Sequence, residues 1–158
     1  MLFRSLGTIV YIEALPDFVK LAKDGPWHIR AAVFEALGNY KDVKEEVFPI
    51  LVKGLEDEDS FARRFVAKSL DKLGWKPETE EQEIVYLIAK KEWESLTEKN
   101  RELVIPALKK LLGYQDIDVR QIAGQTLKNF GINVDIPIRI NGDSKNKFEE
   151  ENLPKILE

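Results

Sequence analysis

The 158-residue chain has no cysteine, one histidine and a formal charge of −4, with both signs interspersed among its 33% charged residues. These features exclude disulfides, thiolate catalysis, cysteine zinc sites and iron–sulfur clusters, and they disfavour a polyanionic partner such as nucleic acid. At this length one domain is expected, burying roughly 68–70% of the surface its unfolded chain exposes. The apolar stretch Ile9 to Ile12 is cut by Glu13, and no run approaches the ~18–20 apolar residues of a membrane span. A cytoplasmic protein is therefore expected, and the abundant Lys and Glu with a single Met resemble a thermophile's usage.

In chain order, Ile9, Val10, Ile12, Leu15, Phe18, Val19 and Leu21 recur at helical spacing over residues 8 to 23, so an amphipathic helix bent or split at Pro16 is predicted. Asp24, Gly25 and Pro26 end it and open a second helix, Trp27 to Leu37, stopped by Gly38 and Asn39. Asp42 with Glu45 has the spacing of a capping box and starts a third helix, whose buried stripe Val43, Val47, Phe48, Leu51, Val52 and Leu55 runs past Pro49. Asp59 or Ser60 caps the next helix, which reaches Leu73 and stops at Gly74. Thr79 with Gln82 starts an inserted helix over about 78–92. Its apolar run Ile84 to Ala89 calls for cover on more than one side, with Trp75, Tyr86 and Trp93 as large contacts. From Asn100 a further helix pair leads through Pro106 to Gly131. Val134, Ile136, Ile138 and Ile140 then alternate with polar residues or proline, the signature of a half-buried strand. Residues 143 to 158 are mostly polar and are expected to be loosely held.

Three of these segments share one frame. Pro16 and Arg30, Pro49 and Arg63, and Pro106 and Arg120 are each separated by fourteen positions, and matched apolar residues (Leu37, Leu70 and Leu127; Tyr40, Leu73 and Phe130) follow each arginine at equal offsets. The repeats are placed at about 8–41, 42–74 and 98–131, in a repeat domain of residues 1–131 followed by an extended segment and tail at 132–158. An all-α architecture of three helix pairs plus one inserted helix follows.

This frame resembles HEAT repeats, and the segment IRAAVFEALG at residues 29 to 38 looks like their bilin-lyase-type subclass. Gly74, Trp75, Pro77, Tyr86, Ala89 and Trp93 are similar to a linker helix of some prokaryotic members. The resemblance implies a right-handed α–α superhelix, with first helices on the convex side and second helices on the concave side. In that pattern Asp24 and Asp57 lie six positions before Arg30 and Arg63, whereas Tyr114 stands six before Arg120, with Asp116 and Asp118 nearby. Asp24, Arg30, Asp57, Arg63 and Arg120 are accordingly expected to form a structural ladder rather than a ligand site.

Function is then expected on the concave face. The positions one, five and eight after each arginine are Ala31, Glu35 and Gly38; Arg64, Lys68 and Asp71; and Gln121, Gln125 and Lys128. With Lys72, the residues Arg64, Lys68, Gln121, Gln125 and Lys128 form a basic, amide-rich strip suited to an acidic protein segment. The alternating segment 134–140 offers a second possibility: a strand edge for a homodimer, or a cap over the last repeat. His28 lacks a second histidine for a metal and a serine–aspartate set for nucleophilic catalysis, and no glycine-rich phosphate loop is present. Glu78, Glu80, Glu81 and Glu83 sit at a helix start, where the macrodipole favours them. A non-enzymatic adaptor or scaffold without a cofactor is expected, with a bilin-lyase-like protein and a nucleic-acid-binding repeat protein as alternatives.

Overall fold

A computed structural model describes residues 2–136, with side chains from residue 12 onward. Its regular elements are helices α1 (Leu2–Asp24), α2 (Trp27–Leu37), α3 (Lys44–Gly54), α4 (Ser60–Leu73), α5 (Glu80–Lys90), α6 (Arg101–Leu111) and α7 (Ile117–Asn129), with short 3-10 turns at Lys41–Val43 and Glu94–Glu98. No strand occurs among the described residues.

The helices pair as α1 with α2, α3 with α4 and α6 with α7, and α2 lies along α4. The prolines do not split their helices: Pro16, Pro49 and Pro106 lie inside α1, α3 and α6. All three are exposed, so the carbonyl each leaves without its usual donor is turned toward water, which serves it at little cost. Helix α1 also starts earlier than its apolar periodicity indicates. Leu15 is buried and Phe18 and Ala22 pack beside it, but Ile12, Val19 and Leu21 are exposed, because no further helix among the described residues packs on the outer side of α1.

Capping chemistry holds in most places. Asp59 accepts from the Ala62 amide at 2.9 Å, Asn100 from that of Glu102 at 2.9 Å, and Thr79 from that of Gln82 at 3.3 Å while the Gln82 side chain accepts from the Glu78 amide at 2.8 Å. The Asp42–Glu45 box does not form. A 3-10 turn precedes α3 there, and Val43 occupies the cap position because its side chain is drawn into the core.

Helix α5 divides the interior into two cores. On one side Ala89, Val85 and Tyr86 join Leu37, Val47, Leu51, Val66 and Leu70 of the first two pairs. On the other, Ile84, Leu87 and Ile88 join Val104, Leu108, Val119, Ala123 and Leu127 of the last pair. The apolar run 84–89 is thus covered on two faces, as its composition requires, and Trp75 meets Tyr86 edge-on at 5.5 Å between centroids. Leu96, in the 3-10 turn after α5, is fully buried in the second core.

After α7 the chain turns at Gly131, the Ile132 amide donates to the Leu127 carbonyl at 3.0 Å, and Val134 and Ile136 lie across α7. A Cβ on Gly124 would meet Ile136 side-chain carbons at 2.6 Å, so the glycine is what lets the segment seat. Residues 132–136 form no ladder; they cover the apolar side of the last pair, which would otherwise face solvent. Residues 137–140, the rest of the alternating segment, and the tail at 143–158 lie outside the described residues.

The close approach of α3 to α2 and α4 rests on Gly54, where an added Cβ would sit 2.8 Å from the Phe34 ring and 2.9 Å from Val66 Cγ2. Gly54→Ala gains about 0.8–1 kcal/mol of helix propensity but overpacks the core at a cost of about 1–3 kcal/mol. The urea midpoint of this variant should therefore fall, and a raised midpoint would show that the site relaxes freely.

A ladder of arginines and the exposed face above it

Each frame arginine is the fourth residue of its helix, where its guanidinium folds back beneath the turn that joins the two helices of the pair. Arg30 Nη1 donates to the Gly25 carbonyl at 2.9 Å and Arg63 Nη1 to the Asp57 carbonyl at 2.6 Å. Arg120 Nη1 donates to the Gln115 carbonyl at 2.9 Å and also to that of Tyr114. These bonds satisfy turn carbonyls that the helices cannot reach.

The ladder runs from each arginine to the turn of the next pair. Arg30 grips Asp57 in a two-pronged pair, Nε to Oδ2 at 2.7 Å and Nη2 to Oδ1 at 2.8 Å, and the other lone pairs of Asp57 take the Asp59 amide at 2.9 Å. Hydrogen bonding to Asp57 raises the Arg30 pKa against the opposing effect of burial. Removing one member of a fully buried pair costs about 3–5 kcal/mol because the other charge is left behind, and this partly buried pair should cost less. Asp24 occupies the equivalent position in the first turn, but it is exposed and makes no ion pair or hydrogen bond among the described residues. The expected role of Asp24 in the ladder is therefore corrected. The acceptor turn belongs to the following pair, and Asp24 lies in the first.

At the second step, into the third turn, the carboxylate is absent and an aromatic ring replaces it. Arg63 is 2% exposed and lies over the Tyr114 ring at 5.0 Å from its centroid. Burial pushes its guanidinium below the ordinary value, opposed by the negative groups around it, and its Nε has no hydrogen-bond partner. The ring face supplies the negative potential that Asp57 supplies to Arg30. The joint is completed by Ser60 Oγ donating to Asp116 Oδ2 at 2.6 Å, by Lys110 pairing with Glu56, and by the Tyr114 hydroxyl donating to the Glu56 carbonyl at 3.3 Å.

The six residues expected to bind a partner are all exposed, but they fall on two helices that do not pack together. Arg64, Lys68 and Lys72 lie on α4, and Gln121, Gln125 and Lys128 on α7. Helix α5 packs against α4 and α6, while α4 and α7 meet at their first turns through Ser60 and Asp116. Lys72 donates to the neutral Asn39 amide oxygen, so its charge is not offset there, whereas Asp71 accepts from the Tyr86 hydroxyl. Burial, reinforced by Asp71, pushes that phenol up to about 12. Arg64, Lys68 and Lys128 have no carboxylate partner among the described residues, in contrast to Lys90, Lys99 and Lys110, paired with Glu92, Glu83 and Glu56. Ala31 and Gly38, expected on the open face, are buried between α2 and α4, because the two helices approach closely where Ser69 donates to the Phe34 carbonyl at 2.8 Å. Glu35 alone of that trio is exposed.

Sequence reasoning overlooked Trp27 and Phe61, which are exposed in the first turns of α2 and α4. Phe61, Arg64 and Lys68 follow i, i+3, i+7 spacing, and that signal would have placed Phe61 on the basic stripe.

Stacked helix pairs sharing one arginine register define a helical-repeat solenoid. Residues 1–71 match the family model of HEAT repeats, and the last pair continues the same proline–arginine frame. No curated protein and no solved structure matches it.

Two outcomes follow for the joint. Tyr114→Phe keeps the ring and should leave the urea midpoint nearly unchanged, whereas Tyr114→Leu should lose about 0.5–2 kcal/mol of stability. Equal stability of the two would remove the ring from the ladder. For Asp116, burial opposes ionisation, but the Ser60 hydroxyl and the Val119 and Asp118 amides outweigh it and hold the carboxyl below its ordinary value. Its folded pKa is depressed, so its contribution is complete above about pH 4 and is lost as pH falls through the lower folded value. Asp116→Asn should flatten the decline of the urea midpoint below about pH 4. An unchanged acid limb would show that other carboxylates carry the decline.

Proposed function

We propose that the protein is a non-enzymatic adaptor that holds an acidic segment of another protein on the exposed faces of its second helices. The observation that carries this reading is the lack of carboxylate partners for Arg64, Lys68 and Lys128 on a chain whose net charge is −4. Lys90, Lys99 and Lys110 are each paired with an acid, whereas Arg64, Lys68 and Lys128 are open to an outside carboxylate. The amides of Gln121 and Gln125 supply both donors and acceptors on α7, which suits backbone or side-chain groups of a bound segment. A rigid stack presents these groups without reordering on binding, which lowers the entropic cost of association.

The test is affinity capture from native lysate with the wild-type chain and with a variant carrying Arg64→Glu, Lys68→Glu and Lys128→Glu. All three sites are exposed, so the variant should keep its thermal midpoint while losing at least about tenfold of the proteins retained by the wild type, a loss of about 1.4 kcal/mol or more in binding. Identical retained proteins from both would remove the reading.

A further inference from the structure

The largest exposed side chains of the second helices are not charged. Trp27 opens α2 and Phe61 lies in the first turn of α4; they are 49% and 56% exposed, and their ring centroids stand 5.9 Å apart at 36°. His28 meets the Trp27 ring edge-on at 5.7 Å, which limits the directions the indole can take. Two large rings held together yet half in water leave apolar area whose burial stabilises by about 25 cal/mol per Å², and adjacent exposed aromatics of this kind mark contact sites. The rings are also continuous with charge. Phe61, Arg64 and Lys68 line one stripe of α4, and neither cation has a carboxylate partner among the described residues. The neighbouring open face of α2 carries Glu35, which repels a carboxylate from that side.

We infer that Trp27 and Phe61 anchor a linear segment of a partner protein in which one aromatic side chain is followed by carboxylates. This rests on the adaptor reading and names the chemistry of what the adaptor holds. The aromatic side chain covers the paired rings, and aromatic anchors in small apolar sites carry much of the energy of such interfaces. The carboxylates that follow reach Arg64 and Lys68 along α4, while Glu35 sets the direction by excluding them from α2. Two free cations are too few to hold a nucleic-acid backbone but enough to orient a short acidic run.

The probe is the peptide Gly-Asp-Glu-Phe-Glu-Glu-Asp-Gly, titrated into the full-length ¹⁵N-labelled protein at low salt and followed by NMR. The Trp27 indole signal is identified by its loss in Trp27→Phe, and the backbone signals of residues 61–68 report binding in all variants. The expected result is a saturable shift of the Trp27 indole. Affinity should be at least about tenfold weaker for the same peptide with Ser in place of Phe, and for Phe61→Ala or Trp27→Ala protein. Arg64→Glu with Lys68→Glu should weaken binding and flatten its salt dependence. Both rings are exposed, so unchanged thermal midpoints will separate lost binding from lost folding. Equal affinity for the Phe and Ser peptides would overturn the aromatic anchor and leave the basic face standing. Absence of binding by either peptide would overturn the inference, and the adaptor reading would then rest on the lysate capture alone. The chain's own Phe148 precedes Glu149, Glu150 and Glu151. A Phe148→Ala variant that bound the peptide tenfold more tightly would overturn the inference in favour of an occupant from within the chain.

Discussion

A guanidinium folded beneath a turn has to be met by negative potential, supplied in this fold by the carbonyls of its own turn and, for Arg30 and Arg63, by Asp57 and Tyr114 of the next turn along. Arg30 joins the Gly25 carbonyl to the Asp57 carboxylate and so locks the spacing of the first two pairs at the end where they turn. Apolar contact between α2 and α4 could slide by a fraction of an ångström at little cost, but a two-pronged charged pair cannot. The tight seats of Gly38 against Ser69 and of Gly54 against Phe34 and Val66 are compatible only with the register that this pair imposes. The ladder therefore converts a greasy stack into a stack with one setting.

The same constraint explains how the fold accommodates an insertion. Helix α5 separates the apolar interior into two cores, and a third pair attached through α5 alone would hang from one edge. The turn edge is tied separately, by Arg63 over Tyr114, Ser60 to Asp116 and Lys110 to Glu56. Tyr114 suits this joint because its ring answers the buried charge while its body belongs to the second core, which a short carboxylate would not reach. The last pair is thus held at two separated places, through apolar packing on α5 and through polar contacts at the turns.

Of the face proposed here to bind a partner, the repeat register revealed the cations and missed the two exposed rings. Arg64, Lys68, Gln121, Gln125 and Lys128 were legible because a residue at a fixed offset from a frame arginine must share its helix face, whatever the tertiary packing. Ala31 and Gly38 have the same offsets and are buried, since offset says nothing about how closely the next helix approaches. Trp27 and Phe61 were hidden for the opposite reason: an aromatic residue near a helix start is ordinarily counted toward the core, and only the packing of the fold leaves these two facing water.

From sequence alone came the helix pairs, their common frame, the double-faced burial of residues 84–89 and the caps at Asp59 and Thr79. Each of these follows from local periodicity or from a side chain satisfying an amide a few residues away. Only the tertiary structure decided that Arg30 reaches forward to Asp57 rather than back to Asp24, that Tyr114 receives Arg63, and that Val134 and Ile136 close over Gly124. Those contacts join residues far apart in the chain, and their partners are chosen by which turn the stack brings within reach of a buried charge or an open apolar face. Spacing along the sequence carries no record of that choice.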